Sequence, residues 1–299
     1  MEKTRGRILK GIGGFYYVET DFGMVECRAK GSFRNKELSP YVGDFVEIEF
    51  DREKMCGTVS EIFERKNSLI RPAVSNIDRL YIVCSTTLPA PNLLNIDKLT
   101  SIAIHSGIEP VIVISKTDLA DFTELKEVYT KSGFTVFETS AEDLSGAEKI
   151  KESLEGKVSV FTGNSGVGKS TLINRMFPEL ELKTGEVSLK LSRGRHTTRH
   201  VELFPLENGG YLADTPGFSS IDFESYTVIK KDDVADCFPE FEPFLNECRF
   251  PDCAHIGERD CAIKNAVGSG EIPASRYESY CAFYKEAEKI KDWELKPKR

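Results

Sequence analysis

Gly163-Asn164-Ser165-Gly166-Val167-Gly168-Lys169-Ser170 decides the fold of this chain. The run satisfies G-x-x-x-x-G-K-[ST], follows the strand-like stretch Val158-Ser159-Val160-Phe161-Thr162, and opens the helix-forming stretch 169–177. Its glycines let successive backbone N–H groups face one ligand, and the helix start at Lys169 adds its positive end, so the segment predicts a phosphate-binding loop. In that loop Gly163 through Gly168 cradle the phosphates, Lys169 reaches the β- and γ-phosphates, and Thr171 lies beside them. The Ser170 hydroxyl is placed to ligate Mg²⁺, a hard cation that takes oxygen ligands.

On either side of this loop the apolar runs 79–84, 111–115, 134–138 and 158–162 alternate with helix-like segments near 95–106, 121–132 and 145–155. That β-α-β rhythm predicts a parallel sheet covered by helices, and strands apolar throughout predict burial on both faces. Further on, 201–206 and 211–214 flank Glu207-Asn208-Gly209-Gly210 and read as a hairpin. The second arm ends in Asp214-Thr215-Pro216-Gly217. This is either an ordinary turn or the point where phosphate-loop enzymes place a carboxylate for Mg²⁺ and a glycine N–H for the γ-phosphate. Its place after a hairpin downstream of the loop favours the second reading, with Asp214 and Gly217 in those roles.

Two further segments fall at the carboxyl ends of predicted parallel strands, where open α/β sheets bind ligands. Ser115-Lys116-Thr117-Asp118 is similar to the Asn-Lys-x-Asp guanine motif, in which the carboxylate, here Asp118, accepts guanine hydrogens that adenine lacks. Thr139-Ser140-Ala141 is similar to the loop that offers guanine O6 a backbone N–H, which assigns Ser140 and Ala141 to the base. Both precede the phosphate loop, whereas in ordinary GTPases they follow it. The unit therefore reads as circularly permuted, an arrangement a domain tolerates because its termini often lie close together at the surface.

A chain of 299 residues exceeds the usual single-domain size and predicts two or three domains. Residues 1–68 hold five short β-rich runs that predict a small barrel, OB-like by preference, although an SH3-like barrel looks the same in sequence. The α/β unit is assigned to 69–228. After it the strands stop, and 229–299 reads as a mainly α module with a charged helix over 274–294. Within that module Cys248-x4-Cys253-x-His255-x5-Cys261 gathers four N/S ligands, a set suited to a closed tetrahedral Zn²⁺ site; buried apolar cysteines are the alternative.

Eight cysteines in so long a chain are not a disulfide framework, and a net charge of -8 excludes nucleic-acid binding through global charge. A local cationic run is present: between 183 and 200, Lys183, Lys190, Arg193, Arg195 and Arg199 face Glu186 as the single anion. It is either a solvated loop or a phosphate-contacting patch. No stretch reaches the length of a membrane span or a signal-peptide core, so a cytoplasmic protein with no membrane partner is expected.

The phosphate loop, the two base segments ahead of it, the Asp-Thr-Pro-Gly turn and the Cys/His spacing resemble the ribosome small-subunit-dependent GTPase A family of bacteria, over essentially the whole chain. The resemblance implies an N-terminal OB-fold, a permuted GTPase domain and a C-terminal zinc domain. It implies a GTPase stimulated by the 30S subunit in late maturation, with GTP and GDP as ligands, 16S rRNA as partner, Mg²⁺ beside the nucleotide and one structural zinc. Cys248, Cys253, His255 and Cys261 match the spacing of the family's zinc motif. The resemblance also gives Thr198, rather than Thr197, to Mg²⁺ alongside Ser170 and Asp214, and makes His196 the catalytic candidate with Lys169. Where many GTPases carry a water-orienting Gln, this chain has Phe218, whose ring can neither orient water nor accept a proton. One position departs from the family: Ser115 stands in the place of the Asn that ties the base loop to the phosphate loop, and weaker nucleotide binding is expected from it. The chain is expected to be a monomer.

Three functional classes compete on these residues. The first is a GTPase that switches the RNA affinity of its flanking domains. The second is a constitutive RNA-binding protein with a merely structural nucleotide site, and the third a P-loop ATPase or kinase. Asp118 argues against adenine, and the complete set of Lys169, Ser170 and Asp214 argues against a dead site.

Overall fold

Alternation of apolar and polar residues gives the first five strands one inward and one outward face, and they close on the inward one. The strands are β1 (Glu2–Ile12), β2 (Phe15–Thr20), β3 (Gly23–Ala29), β4 (Phe45–Asp51) and β5 (Cys56–Ile62). They pair in the order β1-β2-β3-β5-β4 and back to β1, antiparallel except for β3 with β5. That is the closure of an OB-fold, which settles a choice the sequence left open. Ile8, Val18, Val25, Val46, Ile48, Phe50 and Val59 fill the interior.

The computed structural model describes residues 1–31, 33, 39–70, 73–142, 144–180, 201–207, 209–214 and 228–290. A short hairpin, β6 (Ser68–Leu69) with β7 (Val74–Ser75), leads out of the barrel. The buried Asp44 carboxylate fastens it, accepting from Ser75 Oγ at 2.6 Å and from Arg65 Nε at 2.7 Å.

The central unit then runs β8 (Arg79–Ser85), α1 (Leu93–His105), β9 (Glu109–Ser115), α2 (Thr123–Lys131), β10 (Thr135–Thr139), α3 (Leu144–Ser153), β11 (Val158–Thr162), α4 (Lys169–Met176), β12 (Glu202–Pro205) and β13 (Tyr211–Asp214). Its strands lie in the order β10-β9-β8-β11-β13-β12, all parallel but β12. The two-residue period of β8 sorts the helices onto two faces. Leu80, Ile82 and Cys84 share a core with Ile96, Leu99 and Ala103 of α1, whereas Tyr81 and Val83 share one with Ile150 of α3 and Leu172 of α4. The carboxyl ends of β9, β10, β11 and β13 consequently lie along one edge of the sheet. The barrel joins the far edge: Lys10 of β1 pairs with Glu202 of β12, and the Tyr211 hydroxyl donates to Glu19 at 2.6 Å.

In the C-terminal region, short 3₁₀ turns over 231–244 precede α5 (Ala262–Gly268) and α6 (Ala274–Ala287). α6 ends at Ala287 instead of running on to 294; Ala287 is its last fully buried residue, and a helix without a buried face has little to sustain it. Residues 288–290 leave the helix, and 291–294 lie outside the described residues. Arg276 fixes the region to the central unit. Fully buried, its guanidinium donates to Asp97 of α1 at 2.7 Å and to Glu240 at 2.6 Å. Burial opposes its charge, but the two carboxylates outweigh that and hold it protonated well above the ordinary range. No helix among the described residues is long and apolar enough to cross a membrane.

Candidate nucleotide and metal sites

The 163–170 loop follows β11 directly and caps α4, as a strand–loop–helix phosphate site requires. Gly163 has φ 149°, and a Cβ there would lie 2.2 Å from the Val83 carbonyl oxygen, so only glycine lets the loop leave the sheet at this point. Gly168, at φ 94°, turns the chain into α4. Lys169, the first residue of that helix, donates from Nζ to the Gly163 carbonyl at 3.1 Å, back across the loop. Ser170 and Thr171 follow in the first helical turn. The register of β11 with β13, Val160 opposite Ala213, brings Asp214 to the same edge as the start of the loop.

The base segment is tied into this loop by two side chains. At the buried end of β9 the Ser115 hydroxyl donates its one hydrogen to Val167 O at 2.6 Å and Cys84 O at 3.0 Å. A tie between base loop and phosphate loop is thus present at Ser115: the strand end passes close enough beneath the loop for the shorter side chain to reach a loop carbonyl. Lys116 takes a left-handed backbone, φ 58°, which turns its side chain over the same loop. Its Nζ donates to Gly166 O at 2.8 Å and to Leu88 O at 2.5 Å. Thr86, which no sequence motif marks, clamps this turn by donating from Oγ1 to Lys116 O at 2.6 Å. Thr117 N–H donates to Thr139 O at 3.3 Å, joining the two base segments, and Asp118 stands exposed beyond them. The edge thus gathers Ser115 to Asp118, Ser140 and Ala141, and the whole of 163–171. Of the remaining candidates, His196, Thr197, Thr198, Gly217 and Phe218 lie outside the described residues, as does the side chain of Asp214.

In the C-terminal region the ligand atoms of Cys248, Cys253, His255 and Cys261 lie within 4.8 Å of one another. His255 Nδ1 is 3.4 Å from Cys248 Sγ and 3.5 Å from Cys261 Sγ, and the two sulfurs are 3.9 Å apart. Tetrahedral zinc with ordinary bond lengths needs N···S of about 3.6 Å and S···S of about 3.8 Å, so Cys248, His255 and Cys261 stand at the spacing the metal needs, with Cys253 close by. Burial pushes His255 below its ordinary value, toward the neutral imidazole a ligand must be. Burial also pushes the Cys253 thiol up to about 12; a dication is what would hold such thiols as thiolates.

The ligand loop is braced by residues outside the spacing pattern. Glu258 accepts from the backbone N–H groups of Ala254, Ile256 and Gly257 at 2.9–3.0 Å, and the Tyr277 and Tyr280 hydroxyls donate to the carbonyls of His255 and Ala254 at 2.7 Å. Burial opposes the Glu258 charge, yet these amides outweigh it and hold the carboxyl below its ordinary value. Glu258 lies inside the Cys/His stretch, and its carboxylate serves the backbone there.

Comparison with known proteins places this geometry among relatives. The family described as RsgA GTPase matches residues 62–224, and the RsgA N-terminal domain matches residues 5–59. The small ribosomal subunit biogenesis GTPase RsgA of Alkaliphilus metalliredigens is 45% identical over 290 residues, covering 96% of this chain and 98% of that protein. The protein of the same name from Bacillus velezensis is 43% identical over 295 residues, covering 96% and 98%. Among solved structures, YjeQ from Thermotoga maritima superposes with a TM-score of 0.81 at 34% identity, covering 97% of this chain and 100% of that one. YloQ, described as a circularly permuted GTPase, does so with a TM-score of 0.80 at 34% identity, covering 97% and 96%.

Proposed function

The chain belongs to the RsgA family of circularly permuted small-ribosomal-subunit biogenesis GTPases and is a GTP hydrolase; from that premise we propose that its turnover is stimulated by the 30S subunit late in maturation. The observation that carries the nucleotide part of the reading is the pair of ties from Ser115 and Lys116 into the phosphate loop, which bring base and phosphate segments together, while the ribosomal part is supported by the relatives' names. In this reading Asp118 accepts the guanine hydrogens, Ser140 and Ala141 border O6, and the backbone of 163–168 with Lys169 holds the phosphates. Mg²⁺, when bound, neutralises charge on the β- and γ-phosphates; Ser170, Thr198 and Asp214 are the residues that would hold it. The Ser170 hydroxyl sits at the start of α4, where its helix also presents N–H groups to the phosphates.

The division of labour proposed along the chain is 1–68 for an rRNA-contacting barrel, 69–228 for hydrolysis and 229–299 for the zinc-braced module. A monomer working in the cytoplasm on 16S rRNA fits this division. Phosphate release from GTP and from ATP, each with and without purified 30S subunits, tests it. Strong stimulation confined to GTP is expected. Equal, subunit-independent turnover of both nucleotides would leave a constitutive RNA-binding protein or an ATPase as the better description.

The role proposed for the metal is structural, because three thiolates and one imidazole would fill a tetrahedral shell. Protein purified without chelator is expected to carry about one zinc per chain, and Cys248→Ala to lose it. Hydrogen exchange should then quicken over 248–261 and spread into α5 and α6, because Cys261 shares one core with Phe238, Phe241, Ile263 and Tyr280 and a short Cys-rich module buries little else to hold it. Zinc-free preparations with wild-type exchange in that loop would count against the site.

A further inference from the structure

α4 begins at the phosphate loop and finishes beside the 139–142 turn. From its last turn the half-buried Arg175 sends a planar guanidinium to two successive carbonyls of that turn. Nη1 donates to Ser140 O at 2.9 Å, and Nη2 donates to Ala141 O. In a trans peptide the carbonyl and the following N–H point to opposite sides. Holding the Ser140 carbonyl toward Arg175 therefore turns the Ala141 N–H the other way. The next amide, Glu142 N–H, is taken by Ser140 Oγ at 3.2 Å, and Thr117 N–H fixes the start of the turn at Thr139 O. One side chain from the phosphate-loop helix thus decides where the Ala141 N–H aims. Two N–H groups in one rigid plane suit this task, whereas an ammonium offers a single point charge. Sequence alone gives no hint of it, because a cation in the last turn of a helix reads as dipole compensation.

We propose that Arg175 is a specificity-positioning residue: by aiming the Ala141 N–H it sets discrimination for the oxygen at position 6 of the purine. The proposal rests on the assignment of 115–118 and 140–141 to the guanine base. Dissociation constants for GDP, 6-thio-GDP and inosine diphosphate separate the two. The sulfur analogue weakens only the acceptor at position 6, and the inosine nucleotide lacks only the 2-amino group that Asp118 would read.

Wild type should disfavour both analogues. In Arg175→Met, GDP should bind about fivefold to tenfold more weakly while 6-thio-GDP barely changes, so the sulfur penalty collapses and the inosine-to-GDP ratio stays at its wild-type value. Arg175→Lys, which keeps the charge and loses the fork, should fall between them. A sulfur penalty of wild-type size in both variants would overturn the proposal. So would a uniform loss for all three nucleotides, which is the mark of a structural prop. If wild type itself disfavours neither analogue, the base-site assignment falls, and the proposal with it.

Discussion

Asp118→Asn should exchange guanine for xanthine. A carboxylate at this position accepts both the N1 and the 2-amino hydrogen of guanine, and hydrogen bonds to a charged acceptor contribute about 1.5–3 kcal/mol. The amide keeps one acceptor and turns the other atom into a donor, which opposes the 2-amino group but matches the carbonyl that xanthine has there. GDP affinity should drop by about 10- to 100-fold, with a gain for xanthosine diphosphate of similar size. The rest of the site should be unmoved, because the turn before Asp118 is held by bonds the mutation leaves alone. Ser115 and Lys116 stay tied to Val167 and Gly166, and Thr86 still clamps the Lys116 carbonyl. Titration of both diphosphates against both proteins reads the result. A variant that keeps wild-type GDP affinity and gains none for xanthosine diphosphate would show that 115–118 does not read the base.

What the sequence made legible is what local pattern encodes. The phosphate loop is contiguous, the strands of the central sheet are short apolar runs, and the four candidate metal ligands fall within one stretch from Cys248 to Cys261. Each can be read because its parts are close along the chain. The barrel class was legible through the family resemblance but not from the strand pattern alone, since OB and SH3-like barrels differ in which distant strands meet, here β3 with β5 and β4 with β1. The tie from Ser115 was hidden for the same reason. A serine in place of asparagine reads as a lost contact until the spacing between the end of β9 and Val167 is known. Arg276 is the extreme case: nothing in 274–287 marks it as buried, and its burial is tolerable only because Asp97 and Glu240 arrive from elsewhere in the chain. Contacts between remote segments carry the site's precision, and periodicity does not report them.

His196→Ala is expected to remove most of the proposed 30S-stimulated turnover while leaving GTP and 30S affinity nearly intact. The expectation begins at Phe218, which stands where a glutamine would orient the attacking water. A ring that neither donates nor accepts leaves that task to another side chain. Within the cationic run, Arg193-Gly194-Arg195-His196-Thr197-Thr198 holds the imidazole that matches the family's histidine, His196, a group able to accept a proton near neutral pH; His200 ends the run. Positioned proton transfer of this kind contributes about 10²–10⁴-fold, so the stimulated kcat should fall by about a hundredfold or more. The sign of the pH dependence follows. A base must be neutral to act, so wild-type stimulated turnover should decline as pH falls through the imidazole range, and the alanine variant should lose that decline. The competing role is a contact to RNA phosphate, in keeping with the arginines beside it. That role predicts the opposite split: 30S affinity falls, the rate at saturating 30S recovers, and the pH profile keeps its wild-type shape. Measuring kcat against 30S concentration at two pH values therefore decides between a residue that touches the reaction and one that only holds the ribosome.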